Sequence, residues 1–225
     1  MEQRGNWRNP LVKSVKVIVE GGGHKSLDSE CREAFSKLFG KLGIKNVQFV
    51  AGRSRDTAFK KFRNEVINFV PYTKKTNGSW PVLLVDSEEI VVTATKIEHL
   101  VRRSNSWKYL ETVEERQVQL MATCTESWFL YDRDILRDYF GTFLRESSLP
   151  PSQNIEEIDH NDVLDALEEA TKKCGENKIY TRKTKAAHEF KILSRLDPNK
   201  LIGQKYFDAT VTAIKVHPLA GHTKT

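Results

Sequence analysis

Short apolar runs alternate with longer segments of helical periodicity over the first 90 residues of the chain. The run at 82–85 is continuously apolar, which is typical of a strand covered on both faces. Between the strand-like runs, hydrophobic residues recur every three or four positions, which is the spacing of an amphipathic helix. The predicted elements are a strand at 13–19, a helix at 26–42, a strand at 46–50, a helix that begins after Ser54, and a strand at 82–85.

This β-α-β-α-β order predicts a parallel sheet, because helical crossovers join parallel strands with a right-handed turn. Val118 to Ala122 is a fourth predicted strand, whereas residues 90–112 have no readable periodicity and 149–158 has the composition of a linker. Four later helices are predicted, namely after Asp132, after Asp159 or Asn161, at Lys185 to Leu196, and at Pro198 to Ile214.

These elements predict an α/β fold class, with a Rossmann-like parallel sheet flanked by helices. The expected domain organisation is an α/β domain over residues 1–145 and a helical extension over 146–225. We expect the extension to pack on the same domain.

Charge is distributed unevenly along the 225 residues, whose formal net charge is +6. Residues 53–75 carry seven basic side chains against two acids, and 172–215 carry eleven against four, whereas 146–169 carries eight acids and neither Lys nor Arg. Such runs are usually solvated surface. Beside a carboxylate site, however, basic zones favour a polyanionic substrate.

Several function classes are disfavoured. No apolar run approaches the roughly 18 residues of a membrane span, and the polar segment 1–10 lacks the apolar core of a secretory signal. Cys31, Cys124 and Cys174 are widely separated, so neither a disulfide framework nor a zinc knuckle is predicted. The histidines form no zinc-hydrolase pattern, and there is no Gly-x-Ser-x-Gly motif of a serine hydrolase. We therefore expect a cytoplasmic protein.

Two of the predicted strands run directly into acidic residues: Glu20 follows the first strand, and Asp86 and Glu88 follow the third. Each acid alone is more often a turn residue than a site residue. Because the carboxyl ends of parallel strands meet at one edge of a sheet, the three acids are expected to converge. Converging carboxylates repel each other unless a divalent cation neutralises them. The sequence therefore predicts an Mg²⁺ or Mn²⁺ site for phosphate chemistry.

Glu126 is a further candidate, because it lies within apolar and aromatic sequence and a buried acid needs a partner, a metal or a proton. A metal ligand and a structural salt bridge are equally good interpretations of it. Gly21, Gly22 and Gly23 follow the first strand, where bare backbone N–H groups often bind phosphate. A tight turn is the alternative interpretation of these glycines.

Basic residues near the expected site are candidates for substrate binding. Arg53 follows the second strand and is able to grip phosphate with both guanidinium nitrogens. Arg182, Lys183 and Lys185 lie close to Tyr180 in sequence, a mixture that suits a nucleic-acid strand and offers a lysine to stabilise phosphoryl charge. The alternatives are a surface arginine at a helix start and an ordinary basic loop.

Glu20 to Gly23 and Val85 to Glu88, with this spacing of strands and helices, resemble a Toprim domain. That fold is shared by topoisomerases, bacterial primases and OLD (overcoming lysogenization defect) nucleases, and its pattern is a Glu after the first strand and Asp-x-Asp after the third. With Glu126 to Asp132 and Leu196 to Pro198, residues 13–210 resemble an uncharacterised bacterial Toprim-like family found near mobile elements and defence genes. Two positions depart from the pattern: Glu88 stands in place of an Asp, and His24 in place of an acid after the glycines.

The resemblance implies a metal-dependent nuclease that cleaves DNA or RNA as a component of bacterial anti-phage defence, with an AAA- or ABC-type ATPase as partner. The implied catalytic residues are Glu20, Asp86, Glu88 and Lys185, and Glu126 joins the three acids as an Mg²⁺ or Mn²⁺ ligand. The candidate substrate contacts are Gly21, Gly22 and Gly23, together with Arg53, Arg182 and Lys183 from the basic residues described above. The alternative is a catalytically inactive nucleic-acid-sensing or adaptor module that docks on an ATPase through the acidic segment 146–169.

Overall fold

A computed structural model describes residues 14–69 and 78–215 of the chain. Four parallel strands form one sheet in the order β2-β1-β3-β4, which confirms the predicted α/β class with a Rossmann-like arrangement. The strands are β1 (Ser14–Val19), β2 (Val47–Ala51), β3 (Ser79–Asp86) and β4 (Val118–Met121). The polar segment 1–10 and two lysines of the basic stretch, Lys74 and Lys75, lie outside the described residues.

Eight α-helices accompany the sheet within the described ranges. They are α1 (Lys25–Gly40), α2 (Arg55–Ile67), α3 (Lys96–Arg103), α4 (Thr125–Phe129), α5 (Arg133–Phe140), α6 (His160–Thr171), α7 (Lys185–Leu193) and α8 (Lys205–Ile214). Ser54, Asp132 and Asp159 cap α2, α5 and α6 through their side chains, because each side-chain oxygen accepts a backbone N–H of the first turn.

The alternation of buried side chains along β1 and β3 explains why helices cover both faces. Val17, Val19 and Leu84 belong to a large core with α1 and the later helices, whereas Ile18 and Leu83 belong to a second core with α2 and α3. Successive side chains of a strand point to opposite faces of the sheet. A strand with continuous apolar sequence must therefore be covered on both faces. The central position of β3, between β1 and β4, satisfies this requirement.

Two predictions for the C-terminal half are wrong in detail. Pro198 to Ile214 is not one helix, because a short 3₁₀ turn at Pro198–Leu201 ends before Gly203, whose φ of +95° breaks the helical path. Likewise α7 ends at Leu193 rather than Leu196. The ammonium of Lys41 donates to the carbonyl oxygens of residues 194, 195 and 196 at 3.1, 2.9 and 2.6 Å, which satisfies this helix end.

Residues 90–112, which had no readable periodicity, contain α3 and a 3₁₀ segment at Asn105–Thr112. Helix α7 packs against α1, α4 and α5, and α8 packs against β4 and β3, so the C-terminal helices share the core of the sheet. The boundary between residues 145 and 146 stays a prediction. None of the helices in the described ranges is long and apolar enough to cross a membrane.

Candidate functional site

Glu20 and Asp86 lie side by side at the carboxyl edge of the sheet. Val19 pairs with Leu84 in the β1–β3 register, so Glu20 follows beside Val85, and Asp86 is the next residue along β3. The backbone N–H of Asp86 donates to Oε2 of Glu20 at 3.2 Å. The structure therefore brings these two predicted acids together, while their roles stay predictions.

Glu126 reaches the same place from α4, which follows the neighbouring strand β4. Its neighbour Thr125 donates a hydroxyl hydrogen bond to Oδ1 of Asp86 at 3.1 Å, which ties the start of α4 to the end of β3. The side chain of Glu126 is fully buried. Its Oε1 accepts a hydrogen bond from the hydroxyl of Tyr180 at 2.9 Å and lies 3.1 Å from Nζ of Lys185. Its Oε2 is buried and has no partner among the described residues.

Helix α7 supplies two charged residues to this region, Lys185 and Glu189. They are one helical turn apart and therefore lie on the same face of the helix. Glu189 is 7% exposed, and its carboxylate makes no hydrogen bond or ion pair within residues 14–69 and 78–215. The sequence reasoning missed Glu189, although its spacing from the candidate lysine was a readable signal.

Burial and mutual repulsion raise the pKa values of Glu20, Asp86 and Glu189. Burial, followed by the charge of Asp86, raises the pKa of Glu20 to about 8. Burial and the charge of Glu126 raise the pKa of Asp86 to about 7 and that of Glu189 to about 8. Burial lowers the pKa of Lys185, but the charges of Glu126, Glu189 and Asp86 outweigh this effect, so its pKa lies above the ordinary value.

Together, Glu20, Asp86, Glu126 and Glu189 form a group that we name the acid cluster. Its members come from the ends of β1 and β3, the start of α4 and the middle of α7. One lysine faces four carboxyl groups, so the cluster has an excess of negative charge once the pH exceeds the raised pKa values of Glu20 and Glu189, which are about 8.

The donor chemistry of the acid cluster fits a hard divalent cation, because Mg²⁺ and Mn²⁺ prefer oxygen ligands. The unpartnered buried Oε2 of Glu126 is a free ligand atom of the right kind. In the described part of the chain, no three His, Cys, Asp or Glu side chains already stand at metal-binding spacing. The ammonium of Lys185 lies 3.1 Å from Oε1 of Glu126 and neutralises that carboxylate.

Glu88, the third acid predicted for the site, has different neighbours. Its backbone has φ of +58°, and its carboxylate pairs with Arg55 at 2.5 Å and with Arg103 at 2.6 Å. Its charge still adds a minor increase to the pKa of Glu20, and Arg55 lowers that pKa. Glu88 is therefore near the acid cluster, but its carboxylate is neutralised by two arginines that the sequence did not link to it.

The glycine turn after β1 is largely satisfied within the protein. The N–H of Gly21 donates to the carbonyl of Arg53 at 2.9 Å, and the N–H of Gly23 donates to Oδ1 of Asp28 at 2.9 Å. Gly22 has φ of +96°, and a Cβ at this position would collide with the Asp28 carboxylate. Of the three glycine N–H groups proposed for phosphate binding, two are thus already occupied.

The predicted basic contacts Arg53, Arg182 and Lys183 differ in their partners and in their exposure to solvent. Arg53 is half-exposed and binds Oδ2 of Asp28 through Nε and Nη2, at 3.1 and 3.0 Å. Arg182 pairs with Asp165 of α6 at 2.6 Å rather than with a member of the acid cluster. Lys183 lines an open cleft of about 530 Å³ between the start of α1 and α7, together with Lys191.

Residues 19–215 match the model of a family described as a domain of unknown function, DUF4276. This match covers most of the chain. The protein belongs to the DUF4276 family. No curated protein and no solved structure matches the chain significantly.

Proposed function

We propose that this DUF4276 protein is a metal-dependent nuclease that hydrolyses phosphodiester bonds in DNA or RNA. The observation that carries the proposal is the convergence of Glu20, Asp86 and Glu126 from the ends of β1 and β3 and the start of α4. Ligand sites of open α/β sheets lie at this carboxyl edge. The resemblance of the surrounding sequence to Toprim domains supports the same chemistry.

Glu20, Asp86 and Glu126 would hold Mg²⁺ or Mn²⁺ through carboxylate oxygens. When bound, a divalent cation supplies neutralising charge to the phosphate and activates water for attack. Lys185, whose side chain is 36% exposed, offers a positive charge beside the acids for the phosphoryl oxygens. Arg53 orients the phosphodiester from the glycine turn, since its guanidinium is half-exposed there.

The basic side chains around the cleft support a nucleic-acid strand as the substrate. Lys183 and Lys191 line this cleft together with Glu30 and Glu176, and the cleft shares α7 with Lys185 and Glu189. Lysines along a groove bind the phosphate backbone without reading sequence. An ATPase partner and a place in anti-phage defence follow from the resemblance, a cytoplasmic location follows from the composition, and all three belong to the same proposal.

An inactive adaptor is the second candidate, because Lys185 already neutralises Glu126 and no metal-binding group is preassembled in the described residues. The acidic segment 146–169, its expected docking face, is partly used internally. Glu156 accepts the backbone N–H groups of residues 206 and 207 at the start of α8, and Asp165 and Glu169 pair with Arg182 and Arg145. This internal use makes the docking role the weaker of the two.

The decisive experiment is cleavage of DNA and RNA panels with Mg²⁺ or Mn²⁺ by the wild-type protein and by Glu20→Gln and Asp86→Asn. We expect each substitution to lower cleavage at least about a hundredfold, because each removes a charged ligand oxygen. Glu33→Gln is the matched control, since Glu33 is exposed and pairs only with Lys37 on α1 among the described residues. Cleavage that survives both site substitutions, or that needs no divalent cation, would contradict the proposal.

A further inference from the structure

We infer that Glu189 is the fourth carboxylate of the cation site and that Lys185 occupies the cation's place on Glu126 in the cation-free protein. This inference rests on the cation site of the proposed function and assigns α7 a part in it. The acids that follow strands β1 and β3 are expected from the sheet topology. Glu189 comes from a helix far along the chain and carries no motif.

The first support is the position of Glu189. Its side chain is 7% exposed, and its carboxylate makes no hydrogen bond or ion pair within the described residues. The oxygens of Glu189 keep some contact with solvent, unlike the buried Oε2 of Glu126, but a mostly buried carboxylate is still favoured by a ligand, a proton or a nearby cation. The groups that influence it electrostatically are Glu126, Lys185 and Asp86. Glu189 also lies one turn after Lys185 on α7, and Nζ of Lys185 lies 3.1 Å from Oε1 of Glu126, so this face of α7 is turned toward Glu126.

The second support is the state of Glu126. Two donors, the hydroxyl of Tyr180 and the ammonium of Lys185, share its Oε1, whereas Oε2 is buried and unpartnered among the described residues. An ammonium is a compact point charge that is able to substitute for a metal cation. Since the Lys185 side chain is 36% exposed, it has a path to solvent when a cation takes its place. Tyr180, fully buried, then keeps Glu126 oriented.

The third support is the balance of charge. The acid cluster holds four carboxylates and faces the single ammonium of Lys185 within the described residues. Once Glu20 and Glu189 ionise, above about pH 8, one positive charge cannot neutralise the negative charges of the cluster in a site of low dielectric constant. A divalent cation would correct most of this imbalance. By contrast, the carboxylate of Glu88 is already paired with Arg55 and Arg103, so it does not need the charge of a divalent cation.

The test is calorimetric titration of Mn²⁺ into the wild-type protein, Glu189→Gln, Lys185→Met and the control Glu33→Gln, without substrate. Glu189→Gln should weaken Mn²⁺ binding at least about tenfold, because a ligand charge is lost. Lys185→Met should tighten it, because the competing ammonium is gone. The control should bind as the wild type does. Opposite effects of two substitutions on one helix face are not expected from a purely structural role.

Glu189→Gln should fold, because the amide preserves the shape of the side chain and removes a buried charge. Glu189→Asp is a second variant, which keeps the charge on a shorter side chain. It should show an intermediate loss of Mn²⁺ affinity. Wild-type-like Mn²⁺ binding by Glu189→Gln would overturn the inference, as would a wild-type protein that binds no Mn²⁺. If Glu189→Gln weakens Mn²⁺ binding but no nucleic acid is cleaved, the inference stands and the nuclease proposal fails. If cleavage requires Asp86 while Glu189→Gln binds Mn²⁺ normally, the nuclease proposal stands and the inference fails.

Discussion

Asp86 and Glu88 lie two residues apart after the same strand, yet their carboxylates have opposite surroundings. Asp86 faces Glu126 and accepts a hydrogen bond from Thr125, and burial and repulsion raise its pKa to about 7. Glu88 is held by Arg55 and Arg103, and Arg103 also binds Glu89 at 2.7 Å. The first region gathers like charges with a single lysine, and the second pairs opposite charges within the protein. Acids therefore belong to a site through their partners rather than through their place in a motif.

The largest expected effect distinguishes the two regions by activity. Glu126→Gln should lower cleavage of the preferred nucleic acid at least about a hundredfold, because a buried ligand charge is lost while the Tyr180 contact remains possible. Glu88→Gln should lower it less than about tenfold, because the arginines already neutralise this carboxylate. Rates measured under saturating Mg²⁺ check both values. Equal losses of activity in the two variants would contradict the distinction between the acid cluster and the arginine-paired region.

A second effect concerns the pH dependence of stability without divalent cations. Because the pKa values of Glu20, Glu189 and Asp86 are raised to about 8, 8 and 7, the folded protein keeps protons that the unfolded chain releases. Their contribution to stability is fully present below the unfolded-state pKa values and is lost as the pH rises through the folded-state values. We expect the free energy of unfolding to fall by about 2–4 kcal/mol between about pH 5 and pH 8.

Denaturant unfolding in the presence of EDTA measures this slope, and Glu189→Gln should flatten it. The amide cannot ionise, so this variant loses one of the groups that bind a proton in the folded state. A slope equal to that of the wild type would show that the pKa of Glu189 is not raised in the folded protein.

A third effect is stabilisation by the cation itself. Mn²⁺ should raise the midpoint of thermal unfolding by several degrees at about pH 8 and by less at about pH 6, because at the lower pH the cation competes with bound protons. Asp86→Asn should reduce this increase, whereas Glu33→Gln should retain it. A shift that is independent of pH would indicate cation binding outside the acid cluster.

The smallest effect is expected in the arginine-paired region. Arg103→Met should destabilise the protein by about 1 kcal/mol, since Glu88 and Glu89 lose a partner that is only partly exposed. High salt should shrink the difference from the wild type, because it screens surface charges. Denaturant unfolding at low and high salt checks this, and a destabilisation above about 4 kcal/mol would place Arg103 among buried ion pairs.

Much of the fold followed from the sequence, because apolar runs and helical periodicity report burial directly. The strands up to Asp86 and the caps at Ser54, Asp132 and Asp159 were predicted from such local signals. Helix α3 was missed because it is short and its hydrophobic face consists of few residues. The prediction of one long helix from Pro198 was wrong, because Gly203 takes a positive φ that the sequence pattern alone did not reveal.

The site was predicted only as far as the sheet topology determines it. Glu20 and Asp86 lie together because parallel neighbours end at one edge. Glu189 escaped prediction because α7 reaches the acids only through tertiary packing against α1 and α4. The arginine partners of Glu88 come from α2 and α3, and no local pattern connects them to the strand end.

The central claim is that the acid cluster binds a divalent cation and that Glu88 takes no part in this binding. Calorimetric titration of Mn²⁺ tests this claim most directly. The wild-type protein, Asp86→Asn and Glu88→Gln are titrated in parallel. We expect saturable binding to the wild type, a loss of at least about tenfold in affinity for Asp86→Asn, and less than about threefold for Glu88→Gln. Equal losses in the two variants, or no saturable binding to the wild type, would contradict a cation site in the acid cluster.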